Sequence, residues 1–536
     1  MKFLLSTHIF HTSKSDRSSE PKRLKNWQNI FRPVHPSVAV LIFAVSIVIS
    51  DVIVGFIRPT IFASIWWIIL AIVLLIVAIL IPRFPIIFLA AASAFLIVSY
   101  RAAPDFVAQE FFQGSNGRTV TIAGRVAKDP DVSTSEKLNI TLTDLKISIK
   151  SDQSATDAEQ NSPNSDQNAT ESTNFSPIAG RLFTQVSPDT DIQRSDTVII
   201  NGKLSDGFGT YAVSMFRPNL QGIERPEPGD VFLKIRNFFA DKVRDYIPSP
   251  QNGLALGYLL GQKSGVDQTF QDTLRIVGLT HIIVASGAHL STLTGFAKKA
   301  FKKISRFASL LAGLLLTIFF IGITGLSASM IRAGLVTGIS LVLSYFGRQI
   351  HPLRLIVLVA AATLIYYPGY INDLAWLLSF ASFTGILVLA PAISKFFYGK
   401  DRKPKFIADL LISSVAAALL CTPILLYFFG QTSLISIAAN LLVLPTVSFA
   451  MGCTFMTGVA ALVLPPLANV FGHITTLILD YQISVVNFFG EQKIFLIKID
   501  PENPAVFALY IPLMIVFLIF ACYSRYKLRL SRKILA

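Results

Sequence analysis

Residues 307–346 read FASLLAGLLLTIFFIGITGLSASMIRAGLVTGISLVLSYF. The stretch holds two apolar runs, near 307–326 and 328–346, with Arg332 as its one charged side chain. A bilayer-crossing helix needs about 20 apolar residues, and each run supplies about that many. Outward from this pair, comparable runs precede it near 36–57, 60–81, 84–100 and 279–297. Others follow near 353–367, 372–393, 406–429, 433–464, 467–489 and 504–524. The reading is a polytopic α-helical membrane protein of about 12 spans. Composition agrees: of 536 residues, 52% are hydrophobic and only 15% charged, against about 25% charged in soluble chains. A soluble enzyme, a disordered chain and a disulfide scaffold are excluded. Cys421, Cys453 and Cys522 all lie in apolar stretches and form no metal-ligand spacing.

The net charge of +15 is concentrated at span ends. Cations cluster in 1–35, 298–306, 395–405 and 525–536, the pattern of the positive-inside rule. That pattern puts both basic tails, 1–35 and 525–536, in the cytoplasm. The stretch 102–230 runs the other way, with 11 Lys/Arg against 18 Asp/Glu, so the overall basicity says nothing for nucleic-acid binding there.

Between the helices of 36–101 and those of 253–524, residues 102–230 change period. Alternation at 118–128, 137–149, 178–186, 195–205 and 209–217 predicts five strands. In the second, Leu138, Ile140 and Leu142 alternate, then Leu145, Ile147 and Ile149 alternate one step out of phase, as at a β-bulge. Five strands without a long helix suggest an OB-like β-barrel, extracytoplasmic under the charge rule. Its polar, acidic segment 151–177 reads as a disordered insertion. Residues 231–252 begin with an amphipathic helix, Val231, Ile235, Phe238, Phe239 and Val243 on one side, suited to the membrane interface or the bundle.

Polar groups among the spans are the candidate functional residues, since they are costly in hydrocarbon. His281, Ser286, Gly287 and His289 fall in GLTHIIVASGAHL, where the Ser-Gly step predicts a helix break. On an unbroken helix the two histidines stand about 12 Å apart, too far to share a metal. Structural histidines, a hydrophilic path lining and a Ser286–His289 nucleophile pair all remain open, although no acid follows the last. Arg332 either snorkels to headgroups or holds a fixed cation in a polar path. Ser379 reads as packing glue or path lining, and Asn440 with Pro445 as a half-helix break. Asp51 interrupts the first span. No P-loop, HExxH, CxxC or GxSxG motif is present. No enzyme activity, metal or cofactor is expected.

The run 253–290, GLALGYLLGQKSGVDQTFQDTLRIVGLTHIIVASGAHL, resembles the signature of the ComEC family of bacterial competence channels. The resemblance rests on Leu260-Gly261, Ser264-Gly265, Asp267, Gly278-Leu279-Thr280-His281 and Ser286-Gly287-Ala288-His289. It continues through Ser329-Met330-Ile331-Arg332-Ala333, Leu378-Ser379-Phe380 with Gly385, and Asn440-Leu441 with Pro445. Gln262-Lys263 and Ala288 depart from the usual pattern. The family's C-terminal metallo-β-lactamase-like domain has no counterpart in this sequence, which also lacks an HxHxDH motif.

The resemblance implies a channel in the cytoplasmic membrane for single-stranded transforming DNA. His281, Ser286, Gly287, His289, Arg332, Ser379 and Asn440 are then its path candidates. Gly261, Gly265, Asp267, Gly278, Leu279, Phe380, Gly385 and Pro445 are motif residues expected to serve structure. Implied partners are single-stranded DNA, a cytoplasmic helicase-type ATPase, an external DNA receptor or pilus, a separate nuclease and membrane lipids. The acidic β-domain, with few strand aromatics (Phe183, Tyr211, Phe216), is expected to grip DNA weakly. The competing readings are a secondary transporter or lipid-linked substrate translocator, drawing on Asp51, Asp373 and Asp480, and an intramembrane hydrolase.

Overall fold

The computed structural model describes residues 36–57, 68–73, 76, 86–132, 137–148, 175–262, 265–283, 285–399, 404–433, 435–492 and 496–498. Both basic tails, most of the expected span 60–81, nearly all of the 151–177 insertion and the expected span 504–524 lie outside the described residues.

Helix α1 (Pro36–Ile57) packs along α2 (Ile86–Gly114). The third apolar run was expected to end near 100. Instead α2 continues to Gly114 with Pro104 inside it, and carries the chain into the barrel, where Ala108 and Phe112 join the barrel core. The first strand of the β-domain begins at Thr119.

Five strands close the barrel: β1 (Thr119–Val126), β3 (Leu138–Ser148), β5 (Leu182–Val186), β6 (Thr197–Asp206) and β7 (Val213–Phe216). The order β1-β3-β5-β7-β6 returns to β1 through the β1–β6 pairing, and β5–β7 is a parallel pair. Short β2 (Asp131–Val132), β4 (Ser176–Ile178) and β8 (Asn219–Glu224) add to its edges. The bulge is where the phase slip put it. Ala123 pairs with Lys146 but Arg125 with Thr143, and Asp144 takes a positive φ of 53°. Leu142 and Leu145 therefore both point inward. Gly124 lies opposite, where a Cβ would stand 2.9 Å from that of Leu142. The end of the expected insertion is ordered instead, because Ser176–Ile178 pairs with β3.

The chain then enters α3 (Val231–Arg244), capped by Asp230, whose carboxylate accepts from Leu233 N at 3.1 Å. This helix buries Leu233, Arg236, Ala240 and Val243 and leaves Val231, Ile235 and Phe238 exposed. The expected apolar side is thus split between bundle and surroundings. The bundle continues as α4 (Gln251–Leu260), α5 (Gln268–Val277), α6 (Thr280–Ile283), α7 (Gly287–Lys302), α8 (Arg306–Thr324), α9 (Ala328–Tyr345) and α10 (Pro352–Tyr366). After a 3-10 turn, Pro368–Asn372, come α11 (Leu374–Thr384), a π-helical turn Gly385–Leu389, α12 (Ala390–Tyr398) and α13 (Phe406–Phe429). The described chain closes with β9 (Gln431–Ser433), α14 (Ser436–Val463), α15 (Pro465–Gly490) and β10 (Leu496–Lys498), β9 pairing with β10.

The expectation of about 12 spans is not supported. Six helices among the described residues are long and apolar enough to cross a membrane: Val38–Ile57, Arg306–Thr324, Ala328–Tyr345, Leu374–Tyr398, Phe406–Phe429 and Ser436–Val463. The expected span 279–297 is a four-residue turn, a break and the 16-residue α7. Helix α10 is apolar but has 15 residues. Helix α15 has length, but Asn469, His473, Asp480, Gln482 and Asn487 dilute its hydropathy. The long element expected at 433–464 is a single helix with Pro445 inside, not a broken one. The molecule is a multi-pass membrane protein with a β-domain.

Besides the apolar contact of Ala108 and Phe112 of α2, the barrel docks through charged side chains. Arg194 Nη2 meets Asp230 at 2.8 Å and donates to the carbonyl of Gly322 at 3.0 Å, and Nη1 donates to that of Ile323 at 3.4 Å. These carbonyls form the last turn of α8, the negative end of its dipole. Gly325, at φ 89°, makes room, since a Cβ there would lie 3.0 Å from Arg194 Nη1. Arg236 forms a fork with Asp129 of the barrel. Arg181 stacks 3.9 Å over the Tyr367 ring, whose hydroxyl donates to Thr210 O at 3.2 Å.

Candidate functional site

The Ser-Gly step does break the helix. Helix α6 ends at Ile283 and α7 begins at Gly287, with Ser286 as its N-cap. His289 supplies the reciprocal half of a capping box: its Nδ1 accepts from Ser286 N at 3.1 Å and lies 3.4 Å from Ser286 Oγ. An Nδ1 already accepting a backbone N–H is engaged in capping. The hydroxyl stands beyond the about 2.6–3.2 Å reach of a general base. This geometry answers to the structural-histidine reading of His289. His281 sits on the exposed side of α6, while Ile282 and Ile283 are buried, and is an electrostatic neighbour of His289.

Three segments far apart in sequence meet here. Arg332, one turn into α9, does not snorkel. It is 8% exposed, its Nη1 donates to Ser379 O, and its guanidinium lies 5.4 Å from the Phe383 ring centre and 5.9 Å from that of Phe380. Gly287 closes the other side: a Cβ there would stand 3.3 Å from Ala333 Cβ and 3.7 Å from Arg332 Nη2. Among the described residues, no carboxylate forms an ion pair with Arg332. A carbonyl dipole and two ring faces stabilise its charge. The seam is thus a cation flanked by the N-termini of α7 and α9. Ser327 caps the latter, its hydroxyl accepting from Met330 N at 3.3 Å.

Asn440 does not join this seam. It lies in the second turn of α14, a helix packed on α15, α13, α4 and α3, with its Oδ1 buried and without a hydrogen-bond partner among the described residues. A separate polar chain ties these helices: the Tyr258 hydroxyl donates to Gln482 Oε1 at 2.9 Å, and Gln482 Nε2 donates to Thr446 Oγ1 at 2.7 Å. The ring of Tyr258 stands 6.0 Å from that of His289, linking this chain to the α7 cap. Sequence reading missed Tyr258 and Gln482, although Gln482 in an apolar helix was a usable signal.

A family description, Competence protein, matches residues 258–525, half of the chain. The chain belongs to the ComEC-type competence family. It is also similar to ComE operon protein 3 of Bacillus subtilis (strain 168), at 26% identity over 206 residues, which are 38% of this chain and 26% of that relative. No solved structure matches.

The other competence-family motif residues set helix ends and close approaches. Gly261 (φ 71°) ends α4 and Gly278 (φ 79°) ends α5, where a Cβ would press within 2.8 Å of Ser436 Cβ. Leu279 is buried in the largest core cluster. Gly253 and Gly265 sit backbone to backbone. Asp267 caps α5 and accepts from Thr269, whose hydroxyl holds that carboxyl below the usual range. Gly385 opens the π-helical turn, and a Cβ there would come within 2.6 Å of Ala416 O. Phe380 packs on Trp376, centroids 4.4 Å apart. Pro445 lies inside α14.

On the barrel, the three expected aromatics gather with a fourth that alternation could not flag. Phe183 lies 5.4 Å from Tyr211, 6.1 Å from Phe216 and 5.2 Å from Phe208, a loop residue. Phe208 and Phe216 are exposed. Among the described residues no three His, Cys, Asp or Glu side chains form a metal-binding group.

Proposed function

We propose that this chain is the membrane conduit that takes single-stranded transforming DNA across the cytoplasmic membrane during natural competence, and that strand degradation belongs to another protein. The observation that carries the reading is Arg332: a buried cation, fixed at a seam of two helix N-termini, with no carboxylate partner among the described residues. Such a cation suits a polyanion. In the closed arrangement the Ser379 carbonyl holds the guanidinium. When α7 and α11 part from α9, a phosphate takes that carbonyl's place, with stronger charge-assisted hydrogen bonds. The N-terminal dipoles of α7 and α9 add to the attraction.

The ends of α8 and α10 that meet the barrel are the ends away from the basic α7–α8 junction, Lys298 to Arg306, and from Lys395 near the end of α12. By the positive-inside rule the barrel then faces outward and receives DNA first. A helicase-type ATPase inside and a DNA receptor or pilus outside complete the route. Of the three carboxyls a transporter would draw on, two have structural partners: Asp373 accepts from Trp376 N at 3.0 Å, and Asp480 accepts from Gln251 Nε2.

The test is uptake in the native host, read as labelled DNA protected from external nuclease. Deletion is expected to abolish protection and the intact chain to restore it. Arg332→Ala, at equal membrane level, is expected to lower it roughly tenfold or more, as losing a charged hydrogen-bond donor does. Undiminished protection in the deletion strain overturns the proposal.

A further inference from the structure

A cavity of about 810 Å³ opens between the barrel and helices α1, α2, α11 and α13. Its wall includes two carboxyls, Asp51 and Asp105, and the rings of Phe106, Phe208, Tyr211 and Tyr367. Asp51 is 2% exposed, and its Oδ2 has no hydrogen-bond partner among the described residues. No lysine or arginine among the described residues lines the cavity. The nearby cations are engaged elsewhere. Arg101 donates to the carbonyls of Ile365 and Tyr366, and Arg181 lies over Tyr367 and Tyr370. Both act electrostatically on Asp105.

The wall chemistry selects among occupants. A phosphate chain finds no lysine or arginine on this wall among the described residues. A divalent metal seeks about six or more oxygen ligands, and no cluster of three acidic, His or Cys residues is present among the described residues. A lipid tail leaves Asp51 as unsatisfied as before. An organic cation answers both features at once: the carboxylate is its counter-ion, and aromatic faces attract it through their quadrupoles. The same wall already holds one such arrangement, since the Arg181 guanidinium lies 3.9 Å over Tyr367 with Asp105 as an electrostatic neighbour.

We propose that this cavity binds an alkylammonium ion, with Asp51 as counter-ion and the rings of Phe106, Phe208 and Tyr211 as its cage. The proposal does not depend on the conduit reading. The full-length protein, purified in detergent, is titrated with tetramethylammonium chloride and with sodium chloride at equal ionic strength. Calorimetry and the thermal midpoint are the readouts. Saturable binding of tetramethylammonium alone is expected, weakened roughly tenfold or more in Asp51→Asn, which keeps the side-chain shape. Gln109→Lys, on the α2 wall, tethers an ammonium in the cavity and is expected to abolish binding. Equal effects of sodium overturn the proposal. So do undiminished affinity in Asp51→Asn, or a co-purified phospholipid in native mass spectra with no tetramethylammonium uptake. Should Asp51→Asn not fold, unchanged binding in Gln109→Lys overturns it alone.

Discussion

The barrel and the helical bundle solve one problem in opposite ways. The barrel closes its backbone hydrogen bonds on itself through the β1–β6 pairing and fills its interior with large side chains such as Leu142, Leu182 and Met215. The bundle brings backbones together at glycines, Gly253 on Gly265 and Gly385 on Ala416, and lets the Ala333 side chain close on Gly287. A lipid-facing bundle gains little from apolar burial, because the alternative solvent is as apolar as leucine. Close backbone packing and interhelical polar contacts take over. Close glycine approaches thus accompany large buried side chains in the bundle, such as Leu256 and Tyr258.

That contrast can be broken most directly at Gly253. A valine there would drive its Cβ into the Gly265 carbonyl, and backbone cannot move aside as a rotamer can. Gly253→Val is expected to eliminate monodisperse protein on size exclusion; normal yield would show the glycine contact to be incidental. The barrel counterpart is milder. Leu142→Ala opens a void in a fully buried site, with an expected loss of about 2–5 kcal/mol. Proteolysis confined to 119–224, with the helices intact, would be the signature.

The smallest effect belongs to the junction. Burial pushes the Asp230 carboxyl up, but Arg194 and the N–H groups of Leu233 and Phe232 outweigh it and hold the carboxyl below its ordinary value. Its contribution is fully present above the unfolded value near 3.9 and is lost as pH falls through the folded value. Hydrogen exchange across 191–196 and 228–234 is expected to rise only below about pH 4, and Arg194→Ala to raise it at neutral pH. Equal protection at pH 3 and pH 7 would remove this pair from the docking account.

How much was legible follows the same divide. Period two in 138–149 disclosed the strand and the bulge at Asp144, because an inward leucine on each side of a slip has few other solutions. β4 was not legible, since Ser176–Ile178 adjoins a polar tract that masks it. Among the helices, apolar length disclosed that spans exist but not where they stop. Pro104 did not halt α2, and of the polar side chains of α15 the sequence reading weighed only Asp480. The Ser286-Gly287 break was legible from local chemistry. The meeting of Arg332 with Ser379 and Gly287 was not, because only the folded path brings those residues together.

Arg194 has a mechanical consequence. It anchors the barrel to two carbonyls in the last turn of α8, those of Gly322 and Ile323, and the chain from there passes through Gly325 and Ser327 into α9, where Arg332 lies about one turn in. A load on the barrel at Arg194 therefore bears on the last turn of α8, three residues (Gly325–Ser327) before the helix that carries the Arg332 cation.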